Sequence, residues 1–258
     1  MTAHRLIMLV ALTGAALFQA CSDDGGDVVA PDPGPQPTAI VQLSGAVEAR
    51  IPEFAAAIGD VDNKGEPGPL PTGRRQINWD GVPAQFLNTP DFPSDFFKGR
   101  GLVYGGSTGL RVSDNNFADI NPSYATEFIP FSAPKLFAAV GTTTVEVLFR
   151  IPGSDTEAAV RSFGAVMEDV DKANTSRLQA YDRAGKLIAD VPAPVRADPD
   201  EFSLVGVSFE QPIITRVVLT LGEVPLGAGI DDLGSGGAAD VVVVDDFLYS
   251  EPQPLPAE

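Results

Sequence analysis

Thr144-Val-Glu-Val-Leu-Phe-Arg-Ile-Pro-Gly-Ser154 decides the fold class. Val145, Val147, Phe149 and Ile151 fall on one face at a spacing of two, and Glu146 and Arg150 fall on the other, with Leu148 the one interruption. That period belongs to a β-strand with one buried side. Pro152-Gly153-Ser154 then turns the chain. The same grammar recurs on both flanks. Phe163 to Val170 and Leu178 to Tyr181 read as strands. Asp182-Arg-Ala-Gly185 reads as a hairpin turn in which Gly185 supplies a positive φ, and Lys186 to Val191 returns. Leu204 to Phe209, Ile213 to Leu221 and Val241 to Tyr249 complete the set. One short helix is expected near the N-terminal end. Pro52 suits the first helical position, Glu53 the positive end of the dipole, Phe54 and Ile58 share a face, and Gly59 ends it. Short strands, frequent Gly/Pro turns and little helical periodicity predict an all-β chain, a β-sandwich of jelly-roll type with one short N-terminal helix.

The N-terminus has a different chemistry. His4 and Arg5 give a basic start, Leu6 to Phe18 is apolar, and Gln19-Ala20 precedes the only cysteine, Cys21. The run is too short to stay in a bilayer as a spanning helix and has the plan of an export signal. Its ending resembles the lipobox of bacterial lipoproteins. The resemblance implies that Cys21 is acylated, becomes the new N-terminus and holds the protein on a cell-envelope membrane, outside the cytoplasm. More than one acyl chain, at about 0.8 kcal/mol per buried CH₂, makes such an anchor durable. Residues 21–40 are rich in Asp, Gly and Pro and read as a disordered acidic tether. The expected division is a signal peptide at 1–20, the tether at 21–40 and one β-sandwich domain at 41–258.

Charge and composition exclude several function classes. The chain has 35 acidic and 17 basic residues, a formal charge of −18. Nucleic acid is not an expected partner, because its phosphates need Lys and Arg to displace counterions. His4 is the only histidine, so cleavage before Cys21 leaves a domain without histidine and with its one cysteine at the anchor. Ser-His-Asp and Cys-His nucleophiles, His/Cys zinc sites, Cys-ligated clusters and disulfides are thereby excluded.

Four stretches are informative together: Gly73-Arg-Arg-Gln-Ile-Asn-Trp-Asp-Gly81, Ile120-Asn-Pro-Ser-Tyr-Ala-Thr126, Phe163-Gly-Ala-Val-Met-Glu-Asp-Val-Asp171 and Val241-Val-Val-Val-Asp-Asp-Phe-Leu-Tyr249. They resemble a family of uncharacterised bacterial exported proteins, over roughly residues 45–252, for which the resemblance implies no assigned activity. The closing Asp-Asp-Phe-Leu-Tyr also resembles the last strand of galactose-binding-like jelly rolls and carbohydrate-binding modules. There a terminal-strand Asp helps hold a structural calcium, which implies the same for Asp245 or Asp246.

On the residues themselves, Asp245 and Asp246 follow four valines and should point to opposite faces of a strand, so that one is drawn into buried surroundings. A buried carboxylate needs a cation, an arginine or several N–H donors. The expected metal set is Asp245 and Asp246 with Asp80 or the Asp169/Asp171 pair, binding calcium. The alternative is a hydrogen-bonded turn or a salt bridge to Arg74 or Arg75. Asp60-Val-Asp-Asn-Lys-Gly65 opens like a calcium loop, but Lys64 stands where an oxygen ligand is wanted, and a polar turn is expected. Trp79, the only tryptophan, with Asn78 and Tyr124 is either a platform for sugar rings or a core aromatic beside a turn. Gly222 to Asp240 is expected to be a long mobile loop. Two functions stay open. One is a lipid-anchored extracytoplasmic binding or structural module with polysaccharide as partner. The other is a carboxylate-dependent glycoside hydrolase on the same scaffold, the enzyme class that needs neither His nor Cys.

Overall fold

The computed structural model describes residues 34–105 and 109–255. The signal-like segment, Cys21 and most of the acidic tether lie outside the described residues. In chain order the elements are β1 (Ala39–Gly45), α1 (Ile51–Ile58), β2 (Arg74–Ile77), β3 (Leu102–Gly105), β4 (Leu110–Ser113), α2 (Tyr124–Glu127), β5 (Leu136–Ala139) and β6 (Thr144–Phe149). They continue as β7 (Ala158–Ala159), β8 (Ser162–Glu168), β9 (Arg177–Tyr181), β10 (Leu187–Pro192), β11 (Phe202–Ser208), β12 (Arg216–Thr220), β13 (Val243–Ser250) and β14 (Gln253–Pro254). Strand β1 begins at Ala39, inside the stretch expected to be tether, and Thr38 already donates its N–H to Ser208.

The strands form a β-sandwich. One sheet runs β1-β11-β8-β13-β5-β4, with β2 also on β13, and the other runs β10-β9-β12-β6-β3. All ladders between these strands are antiparallel. The winding has a simple rule. Each of the pairs β10/β11, β8/β9, β12/β13, β5/β6 and β3/β4 gives one strand to each sheet, and neighbouring pairs touch in both sheets at once. The chain is therefore a set of antiparallel ribbons folded across the sandwich, as the jelly-roll expectation requires.

Phe149, Leu178, Val217 and Leu219 from one sheet meet Phe163, Met167, Val205, Phe247 and Tyr249 from the other in the main core. The five-stranded sheet has one solvated face, so β6, β9 and β12 alternate between buried and partly exposed positions. The centre of the larger sheet is covered on both faces, and β8 and β13 are buried throughout, while the edge strand β1 is largely exposed. Helix α1 supplies part of the second cover. It carries proline in its first turn, ends at Gly59 and turns Phe54, Ala55 and Ile58 inward, as its sequence predicts. Phe54 lies on Gly164 and Gly206, where a Cβ would sit 2.4 and 3.0 Å from its ring. Two glycines on adjacent strands thus make the seat for the helix.

Candidate functional site

The sequence-singled residues fall into three places. The first is the Asp245/Asp246 pair. Val244 pairs with Met167 and Phe247 with Ala165, so two residues of β13 oppose the single Val166. This bulge breaks the alternation that predicted opposite faces. Val244 and Phe247 both enter the main core, and both aspartates instead meet Ser132. Ser132 N–H donates to Asp245 Oδ2 at 2.9 Å, and its hydroxyl lies 2.9 Å from Asp245 Oδ1 and 3.0 Å from Asp246 Oδ1. Gln76 Nε2 donates to Asp246 Oδ2 at 2.7 Å. A serine has one hydroxyl proton, so both oxygen contacts can be hydrogen bonds only when one carboxyl carries a proton. Burial, reinforced by the charge of Asp246, pushes Asp245 up to about 8, and burial also raises Asp246. The expected arginine partners go elsewhere. Arg75, fully buried, makes a two-pronged pair with Glu251 at 2.7 Å from Nε and Nη2, and its Nη1 donates to the carbonyls of Lys64 and Glu66. The Asp60–Gly65 turn is part of this clamp, because Asn63 Nδ2 donates to Glu251 at 2.9 Å. Arg74 donates to the carbonyls of Gly59 and Asp60. Asp80 makes no hydrogen bond to the pair, although its charge helps raise both aspartates; its backbone carbonyl accepts from Lys135 Nζ, and burial raises its carboxyl.

The second place is a carboxylate centre around Arg196. Asp169 follows β8 in the left-handed conformation (φ 71°), which Asp tolerates better than most residues. Carboxylate oxygens of Glu127, Asp169 and Asp232 lie within 4.8 Å of one another, and so do those of Asp171, Asp232 and Asp240. Arg196 pairs with Asp169 through Nη1, with Asp171 through Nε at 2.7 Å and with Glu127 through Nη2 at 3.6 Å. Burial, then the charge of Asp232, pushes Asp169 up to about 9 against the pull of Arg196. Asp232 is raised by burial although Val241 N–H and Gly234 N–H donate to its two oxygens at 2.7 and 2.6 Å. Clustered acids of this kind can hold a metal ion, and their oxygen-only donor set suits a hard cation.

The sequence picked out Asp169 and Asp171 but missed Glu127, Arg196, Asp232 and Asp240. The loop expected to be mobile is fastened here. Asn121 and Ser123 donate to Asp231 at 3.0 and 2.9 Å, and the Tyr124 hydroxyl donates to the Ile230 carbonyl at 2.7 Å. Tyr124 is fully buried in this grip rather than offered to a ligand. The signal for the missed residues was Asp231-Asp232 amid glycines, with Asp240 just before the valine run.

The third place surrounds Trp79. Its ring stacks on Phe137 at 4.8 Å and meets Phe247 edge-on at 4.9 Å, so it is a core aromatic and no exposed platform. Its backbone is left-handed (φ 59°), an outlying conformation for so bulky a residue and one found disproportionately at ligand sites. Trp79 also lines a cavity of about 250 Å³ with Ile77, Asn78, Phe96, Phe97, Arg100 and three glycines. Beyond the Cα of each of these glycines, Gly65, Gly81 and Gly99, the space is open. Arg100 is held there by its Nη1, which donates to the Gln76 carbonyl at 2.6 Å, and Asn78 Nδ2 donates to Asp80 Oδ2 at 2.8 Å.

No protein-family model and no curated protein matches the chain. Solved structures similar to it include a family 29 carbohydrate-binding module, CBM29-2, with 10% identity over 70% of this chain and 93% of that one, at a TM-score of 0.31. Another is TmCBM61, solved with β-1,4-galactotriose, with 11% identity over 64% and 93% of the two chains and a TM-score of 0.26. A third is a glycoside hydrolase family 43 arabinoxylan arabinofuranohydrolase from Bacillus subtilis in complex with cellotetraose, with 10% identity and a TM-score of 0.32. The match takes in 58% of this chain but only 26% of that enzyme.

Proposed function

We propose that this chain is a lipid-anchored binding module of the cell envelope that takes a sugar unit of a polysaccharide in the Trp79 cavity. The observation that carries this reading is the cavity lining. Aromatic walls from Phe96 and Phe97, with the buried Trp79 behind them, suit the apolar face of a sugar ring, and the amide of Asn78 and guanidinium of Arg100 suit its hydroxyls. Its volume lies below the roughly 300–1,000 Å³ of drug-sized sites, which favours one ring over several. Binding is favoured over hydrolysis because none of the described residues lining the cavity is Asp or Glu, whereas a glycosidase needs two carboxylates flanking the bond. The module's structural ion is calcium, matched to its carboxylate oxygens. The attachment is the acylated Cys21.

Gly99→Leu tests the cavity, because Gly99 lines it and a Cβ there would meet nothing within 4 Å. Retention on immobilised polysaccharides should fall at least tenfold in Gly99→Leu and in Arg100→Ala, with unfolding unchanged for Gly99→Leu. Equal retention of wild type and Gly99→Leu on every glycan that binds would overturn the cavity assignment. Cys21→Ala should leave an unprocessed precursor or release the protein from membranes, and mature-sized protein still in the membrane fraction would overturn the anchor.

A further inference from the structure

We propose that Glu127, Asp169 and Asp232 ligate one calcium ion that fastens the glycine-rich 223–240 loop to the end of β8. This names the ligand set for the structural ion of the preceding section and rests on that reading. Three observations lead to it. Two oxygens bound to the same calcium at about 2.4 Å can be no more than about 4.8 Å apart, and one oxygen from each of these residues meets that limit. Asp169 is fully buried, and its Oδ2 has no hydrogen-bond partner. Arg196 serves only Oδ1, so a buried carboxylate oxygen stands in the cluster without the donor that burial demands. Charge gives the third argument. Glu127, Asp169, Asp171 and Asp232 gather around the single guanidinium of Arg196, so acid groups outnumber cations there and a divalent ion would offset the excess.

The neighbouring triple of Asp171, Asp232 and Asp240 is less suited because it holds no buried oxygen without a hydrogen bond, as Asp169 does. Asp171 N–H and the Thr175 hydroxyl already donate to the two oxygens of Asp240, and Arg196 takes Asp171 Oδ1. The loop is also shaped for the first triple. A methyl group on Gly234 would stand 2.1 Å from Glu127 Oε1, so glycine lets the loop backbone close over the carboxylates. The donors from Gly234 and Val241 then hold Asp232 in place from the loop side.

The test uses the full chain in detergent, depleted with chelator and then titrated with calcium chloride. Calorimetry should give one ion per chain. The unfolding midpoint should rise by ~5–10 °C when calcium reaches about one hundred times its Kd. Asp169→Asn and Asp232→Asn should each lose that rise, and Asp245→Asn should keep it. In wild type, hydrogen exchange at the Gly234 and Val241 amides should slow at least tenfold with calcium, a readout that does not depend on a variant folding. No rise in wild type would overturn both the ligand set and the calcium reading. A wild-type rise that survives in both Asn variants, or that is lost in Asp245→Asn instead, would overturn the ligand set alone. Polysaccharide retention by wild type and Gly99→Leu is scored separately, so failure of the sugar site stays distinguishable from failure of the ion site.

Discussion

Two buried acid groups meet the neighbouring strands β8 and β13, one at the bulge of β13 and one at the end of β8, and they are neutralised in different ways. At the bulge, Asp245 and Asp246 have a hydrogen-bond contact for every carboxylate oxygen, all from Ser132 and Gln76. No arginine or lysine pairs with them among the described residues, and burial favours a retained proton on Asp245, which leaves one negative charge on the pair. At the end of β8, Arg196 reaches three acids and still leaves both oxygens of Asp169 without a hydrogen bond, Oδ1 having only the ion pair. Hydrogen-bond satisfaction and charge compensation are thus separate requirements. The bulge meets the first in full with neutral groups and lessens the second with a proton, while the Arg196 centre meets only part of each from within the chain.

The comparison is broken most forcefully at Arg196. Replacing it with methionine keeps much of its length but strips Asp169, Asp171 and Glu127 of their common cation. Unfolding in denaturant without calcium should show a loss of about 3–5 kcal/mol, as for other buried pairs deprived of one partner. A loss below about 1 kcal/mol would mean that these carboxylates are neutral in the folded state.

The bulge should instead respond to pH. Asp245 titrates near 3.8 as a free side chain and is pushed up to about 8 when folded, so the native state holds a proton that the unfolded chain has released. Its stabilising contribution is complete below about pH 4 and is lost as pH rises toward 8, at up to about 1.4 kcal/mol per pH unit. Asp245→Asn should remove its share of that slope, up to about 1.4 kcal/mol per pH unit between pH 5 and about 7.5, and leave the share of Asp169, which burial raises to about 9. A wild-type slope undiminished in the variant places the retained proton elsewhere.

The smallest effect is expected at Ser132. Ser132→Ala removes the hydroxyl from both aspartates but keeps the backbone donor to Asp245, which predicts a loss of about 1–2 kcal/mol. Because the Arg196 centre does not depend on Ser132, the calcium-induced rise in unfolding midpoint should be unchanged in this variant. A diminished calcium response would show that the two acid groups are coupled through the paired strands β8 and β13.

What the sequence revealed follows the same division. Strand β6 was legible because its sheet has one wet face, which writes a period of two into Val145, Val147 and Phe149. Strands β2 to β5 were not singled out. They are short, and β4 and β5 are buried at every position, which removes the alternation. A bulge exists only relative to a partner strand, so the shared side of Asp245 and Asp246 could not be read from β13 alone. Arg75 and Glu251 are 176 residues apart, and nothing local marks them as a pair. For Trp79 the core alternative prevailed, yet its strained backbone and the cavity beside it lie in the stretch that the sequence singled out. The resemblance motifs show a common arrangement. Gly73–Gly81 and Val241–Tyr249 are joined as β2 on β13, while Ile120–Thr126 and Phe163–Asp171 flank the carboxylate centre with the loop between them.

The folded-ribbon winding has a consequence for when this protein can exist. Ala39 finds its partner at Ser208, and Arg74 finds its partner at Ser250. A chain leaving the ribosome N-terminus first cannot complete either edge until its closing strand has been made. Contacts so distant in sequence make folding slow. The polypeptide is thus kept open through most of its synthesis, an order of events that suits passage across a membrane before folding, as proposed from residues 1–20.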